Sequence, residues 1–202
     1  MGQTNITASS LMSEKLLSYL YTHSKKTDRE IAEFFNIDRT YIVKARSEFG
    51  VSTRISTGDI GEQIAIKTLR SEGFRVKDMN LKDKLSPFDL LVNGKVRVEI
   101  KSAKFSTELK RYCFALSEQA KRKCVESSER IILPNGRTKK LFSKTCDFII
   151  FVCIGKDEDV FYVLPSNILP DDMSGINIRV DDVKYARFKN NWELLRRDVK
   201  SI

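Results

Sequence analysis

Pro87-Phe88-Asp89-Leu90-Leu91-Val92-Asn93-Gly94-Lys95-Val96-Arg97-Val98-Glu99-Ile100-Lys101 is the stretch from which the fold can be worked outward. Two runs rich in Val, Leu and Ile flank Asn93-Gly94, and such a pair of runs around Asn-Gly is a strong β-hairpin signal. Side chains alternate faces along a strand, so Val96, Val98 and Ile100 share one face and Arg97, Glu99 and Lys101 the other. The apolar set belongs to the core. A two-residue Asn-Gly loop would pair Asp89 with Val98 and bury its carboxylate among valines, at a high desolvation cost. A three-residue loop, with Gly94 in the left-handed conformation of a bulge, puts Asp89 on the face of Glu99 and Lys101 and returns Leu90 and Val92 to the apolar side. Hydrophobic alternation therefore selects the odd loop.

The consequence is a polar patch of two carboxylates and an ammonium. Like charges ~5 Å apart repel by a few kcal/mol at a moderate effective dielectric. A hard divalent cation such as Mg²⁺ relieves that repulsion, and Lys101 adds a further positive charge, which is the equipment of phosphodiester hydrolysis. Alternating charge on the outer face of an edge hairpin would produce the same residues without chemistry.

The pattern Asp89, then Glu99-Ile100-Lys101, resembles the PD-(D/E)xK nuclease superfamily, with Pro87 one position early because Phe88 intervenes. The resemblance runs from about residue 58 to the end. It implies a restriction-endonuclease-like αβββ core with a mixed sheet, and a Mg²⁺ ion, for which Mn²⁺ can substitute, held by Asp89, Glu99 and the Ile100 carbonyl. Lys101 would orient or deprotonate the attacking water, or stabilise the charge of the transition state. In that family the first helix, often opening Gly-Glu, adds an acid to the metal site, which implies Glu62 as a further ligand, acting through a second metal or through water. Gly61-Glu62 matches that element, although Glu62 could equally be the capping-box partner of Asp59. Phe74-Arg75-Val76 then starts the first strand.

Upstream, Leu11 to Thr22 has leucines at helical spacing. Thr27-Asp28-Arg29-Glu30 is a capping-box signature for a second helix whose Ile31, Phe34 and Phe35 face inward. Asn36-Ile37 turns the chain. Asp38 caps a third helix lined by Ile42, Ala45 and Phe49 and stopped by Gly50. The stretch TDREIAEFFNIDRTYIVKARSEFG resembles the helix-turn-helix DNA-binding module over residues 11–53. That likeness implies base contacts from Arg39, Thr40, Tyr41 and Lys44, with Arg46 nearer phosphate. A small helical bundle serving as an interaction domain is the alternative. The expected division is a small all-α module over residues 1–53 and an α+β or α/β nuclease domain over 54–202, joined by the Ser/Thr-rich Ser52–Gly58.

Net charge is +9, and residues 101–145 alone hold 12 Lys or Arg against 4 acids. That concentration implies a polyanion partner beside the hairpin. Ser117 is expected to open a basic helix over Glu118–Glu126 whose Lys121, Arg122 and Lys123 lie along phosphates. Arg137, Lys139 and Lys140 should stud an inserted hairpin. Arg111–Leu116 reads as a strand, Cys146–Ile154 as a central one buried on both faces, Val160–Leu164 and Ile176–Val180 as later strands, and Lys189–Lys200 as a terminal helix. Cys113, Cys146 and Cys153 read as buried reduced thiols. With no CxxC pair and one His, His23, no zinc site is expected. No apolar run is long enough to span a membrane and no leader is evident, so a cytoplasmic protein is expected.

The expected function is a site-specific, restriction-like or homing-like endonuclease acting on double-stranded DNA as a homodimer or higher homo-oligomer. A structure-specific enzyme like the Holliday-junction resolvases, or a non-catalytic helix-turn-helix regulator, is the alternative.

Overall fold

The computed structural model describes residues 12–81, 86–119 and 126–196. The chain divides into two compact units, Met1–Ile55 and Ser56–Ile202.

The first unit is helical. Helix α1 (Glu14–Ser18) is capped by the Ser13 side chain, which accepts from the Leu16 N–H, and it continues as a π-helical turn over Tyr19–His23. Helix α2 (Asp28–Phe35) opens on a reciprocal capping box between Thr27 and Glu30, and left-handed Asn36 ends it. Helix α3 (Arg39–Glu48) is capped by Asp38, which accepts from the Thr40 N–H. Met12, Leu17, Tyr21, Ile31, Ala32, Ile42 and Ala45 form the core. Phe34, expected inside, is 78% exposed and stands edge-on to Phe35. At about 100° per residue the inward stripe runs through Ile31, Phe35 and Ala32, which leaves Phe34 on the flank away from Ala32.

The second unit starts with α4 (Thr57–Ser71). Its N-cap is Ser56, in a capping box with Asp59, so Asp59 is the third residue of the helix rather than the cap. Ordered behind it are β1 (Val76–Asp78), β2 (Leu90–Val92), β3 (Val96–Ser106), β4 (Arg111–Ala115), β5 (Ser117–Gln119), β6 (Arg130–Ile132), β7 (Arg137–Lys140), the short α5 (Phe142–Thr145), β8 (Phe148–Ile154), β9 (Val160–Pro165) and β10 (Gly175–Ile178).

One sheet holds seven of these strands. Strands β1, β2 and β3 pair antiparallel in sequence, β3 pairs parallel with β8, and β8 pairs antiparallel with β9. The far end of β3 turns into β4, which pairs with β10. Strand β8 is the hydrophobic spine, buried on both faces as its unbroken apolar run predicts. Phe148, Ile150 and Val152 join Val96, Val98, Ile100, Leu69 of α4 and Trp192 in one cluster. Ile149, Phe151 and Cys153 pack with Phe114, Tyr162, Leu164 and Ile178 in the other. The fold is thus mixed α+β.

Strands β5, β7 and β6 make a separate antiparallel sheet. The helix expected over 118–126 is not formed at its start, where Ser117–Gln119 pairs with Arg137–Lys139. Lys121, Arg122 and Lys123 lie outside the described residues. The inserted hairpin is present, but its cations are turned inward: Arg137 donates to the Ser117 hydroxyl and carbonyl, and Lys139, 1% exposed, donates to the Pro170 carbonyl. Cys146 and Cys153 are buried, whereas Cys113 is exposed because Phe114 takes the inward position on β4. Of the expected terminal helix over Lys189–Lys200, the described residues, up to Arg196, hold a 3₁₀ turn, Trp192–Leu195, whose Trp192 and Leu195 are buried, and residues 197–200 lie outside the described residues. Among the described residues no helix is long and apolar enough to cross a membrane.

Candidate active site

The β2–β3 hairpin has the three-residue loop that the alternation requires. Leu90 faces Val98, Leu91 faces Arg97 and Val92 faces Val96, and the Lys95 N–H closes the loop on the Val92 carbonyl. Asn93 and Gly94 are both left-handed (φ 53° and 74°). Asn suits that region among residues with a side chain, and Gly enters it without penalty. Leu90 and Val92 are fully buried.

That register sets Asp89 just before the first residue of β2, where its backbone N–H still donates to the Val98 carbonyl. Its carboxylate accepts from the Ile100 N–H at 2.7 Å and from the Asn80 side-chain amide at 3.1 Å. The same amide approaches both Glu62 oxygens at 3.3 and 3.4 Å. Asn80 therefore bridges the two acids. Glu62 lies in the second turn of α4, past the capping box, so its side chain is not needed by the helix terminus. Burial, with the Asp89 charge next in weight, pushes its pKa up to about 7. Asp89 is raised too, by burial and then by Glu99, against the two hydrogen bonds that favour its ionised form.

Glu99 is 3% exposed and both its oxygens are taken. Lys101 Nζ lies 2.6 Å from one and Lys140 Nζ 2.5 Å from the other. Burial alone would raise this carboxyl, but the two ammonium groups outweigh it and hold the group below its ordinary value. For Lys101 burial works downward, and the charge and hydrogen bond of Glu99, with Asp89 behind them, reverse it, so the ammonium is stabilised. Arg97, on the same strand face, pairs with Asp147 at 2.8 Å.

The helix comes close to the strand at Gly61. A Cβ there would lie 2.2 Å from Ser102 Cβ, so only glycine allows α4 to set Glu62 at this depth. Ser102 Oγ donates to the Thr57 carbonyl and secures the same contact.

The fold is similar to that of a bacterial homing endonuclease, I-Ssp6803I. The TM-score is 0.52 at 19% identity, over 69% of this chain and 90% of that one. At that identity the likeness to I-Ssp6803I is one of fold. No protein-family model and no curated protein matches the chain.

Among the described residues no three His, Cys, Asp or Glu side chains stand close enough together to enclose a metal ion. The donors nevertheless suit Mg²⁺, which is ordinarily held by one or two carboxylates and completed by water and substrate oxygens. Asp89 and Glu99 are such a pair, and the raised carboxyls of Asp89 and Glu62 favour a cation beside them. On the helical unit, Arg39, Thr40, Tyr41 and Lys44 are exposed on the first turns of α3. Thr40 also binds back to Asp38 through its backbone N–H and its hydroxyl. Arg46, expected near phosphate, is instead buried. Its guanidinium forks onto Asp28 at 2.7 and 2.9 Å and lies over the Tyr21 ring, tying α3 to the start of α2.

Two site residues escape sequence reasoning. Asn80 comes from the segment after β1 and Lys140 from the second sheet, and neither forms a recognisable spacing with Asp89 or Glu99.

Proposed function

We propose that the chain is a metal-dependent DNA endonuclease of the PD-(D/E)xK type, made site-specific by a helix-turn-helix unit. The observation that carries this reading is the hairpin register. It sets Asp89 on the Ile100 N–H, next to Glu99 and Lys101, on a fold shared with a homing endonuclease.

In this reading Asp89, Glu99 and the Ile100 carbonyl would hold Mg²⁺, or Mn²⁺ in its place. The ion would supply Lewis-acid polarisation of the phosphate and a lower pKa for a bound water. The remaining work falls to the chain. Lys101 keeps its proton beside Glu99, so its role is to hold a phosphate oxygen and offset the charge that grows there, rather than to remove a proton. Glu62, with a pKa of about 7, is part ionised at neutral pH and suits the acceptance of a proton from water. Asn80 keeps Glu62 and Asp89 in register. On the first unit, Arg39, Tyr41 and Lys44 are free to reach base edges, where each good contact is worth ~1–3 kcal/mol of discrimination.

Plasmid DNA incubated with the protein and Mg²⁺ tests the reading. Nicking or linearisation is expected, lost in Asp89→Asn and in Glu99→Gln, while both variants bind DNA within a few-fold of the parent. Undiminished cleavage by either variant at matched metal concentration refutes the site.

A further inference from the structure

One carboxylate with two ammonium partners leaves a cation in surplus. Lys101 is the local partner of Glu99, two residues along on the same face of β3. Lys140 belongs to another sheet and ends β7, 41 residues away in sequence. On β7 the neighbouring Lys139 turns the opposite way, into the fold, where it holds the Pro170 carbonyl and ties the inserted sheet down. Lys140 is thereby presented to the site by a fixed strand. Arg130 pairs with it across the β6–β7 ladder. Glu99, Lys101, Glu118, Arg130, Thr138 and Lys140 line a cleft of about 80 Å³, in which three cations face two carboxylates.

We propose that Lys140 is a phosphate-binding residue of the candidate site. Its ammonium rests on Glu99 in the free protein and transfers to a non-bridging oxygen of the DNA backbone when the strand enters. This rests on the nuclease reading above. For Glu99 to serve a hard cation, one of its oxygens has to give up an ammonium. Either lysine has a flexible four-carbon stem, but Lys101 answers the Asp89 charge as well as Glu99, whereas Lys140 has the like-charged Arg130 as its cross-strand neighbour, so Lys140 is the ammonium that can be released. A backbone phosphate is the anion that such a cleft offers it, and the excess positive charge of the cleft rises once Glu99 is engaged elsewhere.

The test compares the full-length parent with Lys140→Met, Lys140→Gln and Lys140→Arg. Duplex DNA binding is titrated against salt with Ca²⁺ replacing Mg²⁺, Mn²⁺ binding is measured on the DNA-free protein, and cleavage is followed separately. Lys140→Met should weaken DNA binding about three- to tenfold and reduce the slope of log K against log salt by about 0.9, the share of one phosphate contact. Its Mn²⁺ affinity should rise severalfold, because Glu99 loses a competing cation. Lys140→Arg should restore the slope. Lys140→Gln, which keeps a hydrogen-bond donor, should lose it as the Met variant does, and serves in its place if that variant melts early. An unchanged slope and affinity in both neutral variants, or Mn²⁺ binding that fails to tighten, overturns the proposal. If the parent does not cleave DNA yet the slope falls, the nuclease reading fails and the phosphate contact stands. If the parent cleaves and the slope is unmoved, the reverse holds.

Discussion

Replacing Gly61 by alanine adds one methyl group where α4 crosses β3. That methyl would sit 2.2 Å from Ser102 Cβ and 2.5 Å from Ser102 Oγ. Ordinary carbon contacts are about 3.5–4.0 Å, so helix and strand have to part by roughly 1 Å or more. Both neighbours belong to the fold's central layers, α4 packing Ala65 and Leu69 on the sheet and β3 lying between β2 and β8, so little nearby can give way. Overpacking of this kind costs about 1–3 kcal/mol, while alanine regains up to about 1 kcal/mol of helix propensity over glycine. A net loss of about 1–2 kcal/mol follows. Function should suffer more than stability. The Asn80–Glu62 contacts are already 3.3 and 3.4 Å long, and a further ångström ends them while the Asp89–Ile100 bond on the strand side stays. Urea unfolding and Mg²⁺-dependent plasmid cleavage are the two assays. Ser102→Gly, made in the Gly61→Ala background, removes the opposing Cβ and should recover stability by more than its own single-mutant cost allows, a favourable coupling of 1 kcal/mol or more in the double-mutant cycle. Ser102→Ala keeps the Cβ and should not rescue. A Gly61→Ala protein as stable as its parent and fully active would refute the idea that this close approach sets the depth of Glu62.

Three further outcomes are expected. Arg46→Met leaves Asp28 without its buried partner and should destabilise the helical unit by about 3 kcal/mol in a thermal melt, whereas exposed Arg39→Ala should cost under about 0.5 kcal/mol and instead alter DNA site preference. Glu62, with its pKa raised to about 7, binds a proton in the folded state that it has lost in the unfolded chain between about pH 4.5 and 7, so its ionisation lowers stability as pH rises through that window. Glu62→Gln should therefore equal its parent near pH 4 and exceed it at pH 8 by on the order of 1 kcal/mol, a figure reduced for partial solvent exposure, as read from denaturant midpoints. Deleting residues 1–53 should leave a folded protein that nicks DNA without preference among sites; an unchanged product pattern from a random-site library would assign site selection to the second unit.

Some features were legible because short-range rules determine them. Thr27 and Glu30 form the expected capping box, three residues apart, and Asp38 caps α3 through the Thr40 N–H. The same rules pointed to Asp59 as the cap of α4, but Ser56 is the cap and Asp59 its capping-box partner, which moves the helix start forward. Where distant partners enter, local signals fail. Ser117–Gln119 has the polarity of a helix start, yet it pairs with a strand some 20 residues on, and the fold overrides the propensity. Phe34 belonged to an apolar trio by composition, and only the position of α2 against its neighbours put it outside.

The candidate site divides along the same line. A period of two, a desolvation penalty and an Asn-Gly loop were enough to place Asp89, Glu99 and Lys101 on one face, since each wrong register buries a charge or exposes three aliphatic side chains. That much the sequence determined by itself. That Asn80 bridges Glu62 to Asp89, that Lys139 goes inward while Lys140 reaches Glu99, and that Arg46 is a tie rather than an exposed cation were decided by tertiary structure. Charged side chains take whichever opposite charge the packing brings within reach, and residues 41 positions apart meet only when the sheets that carry them are assembled.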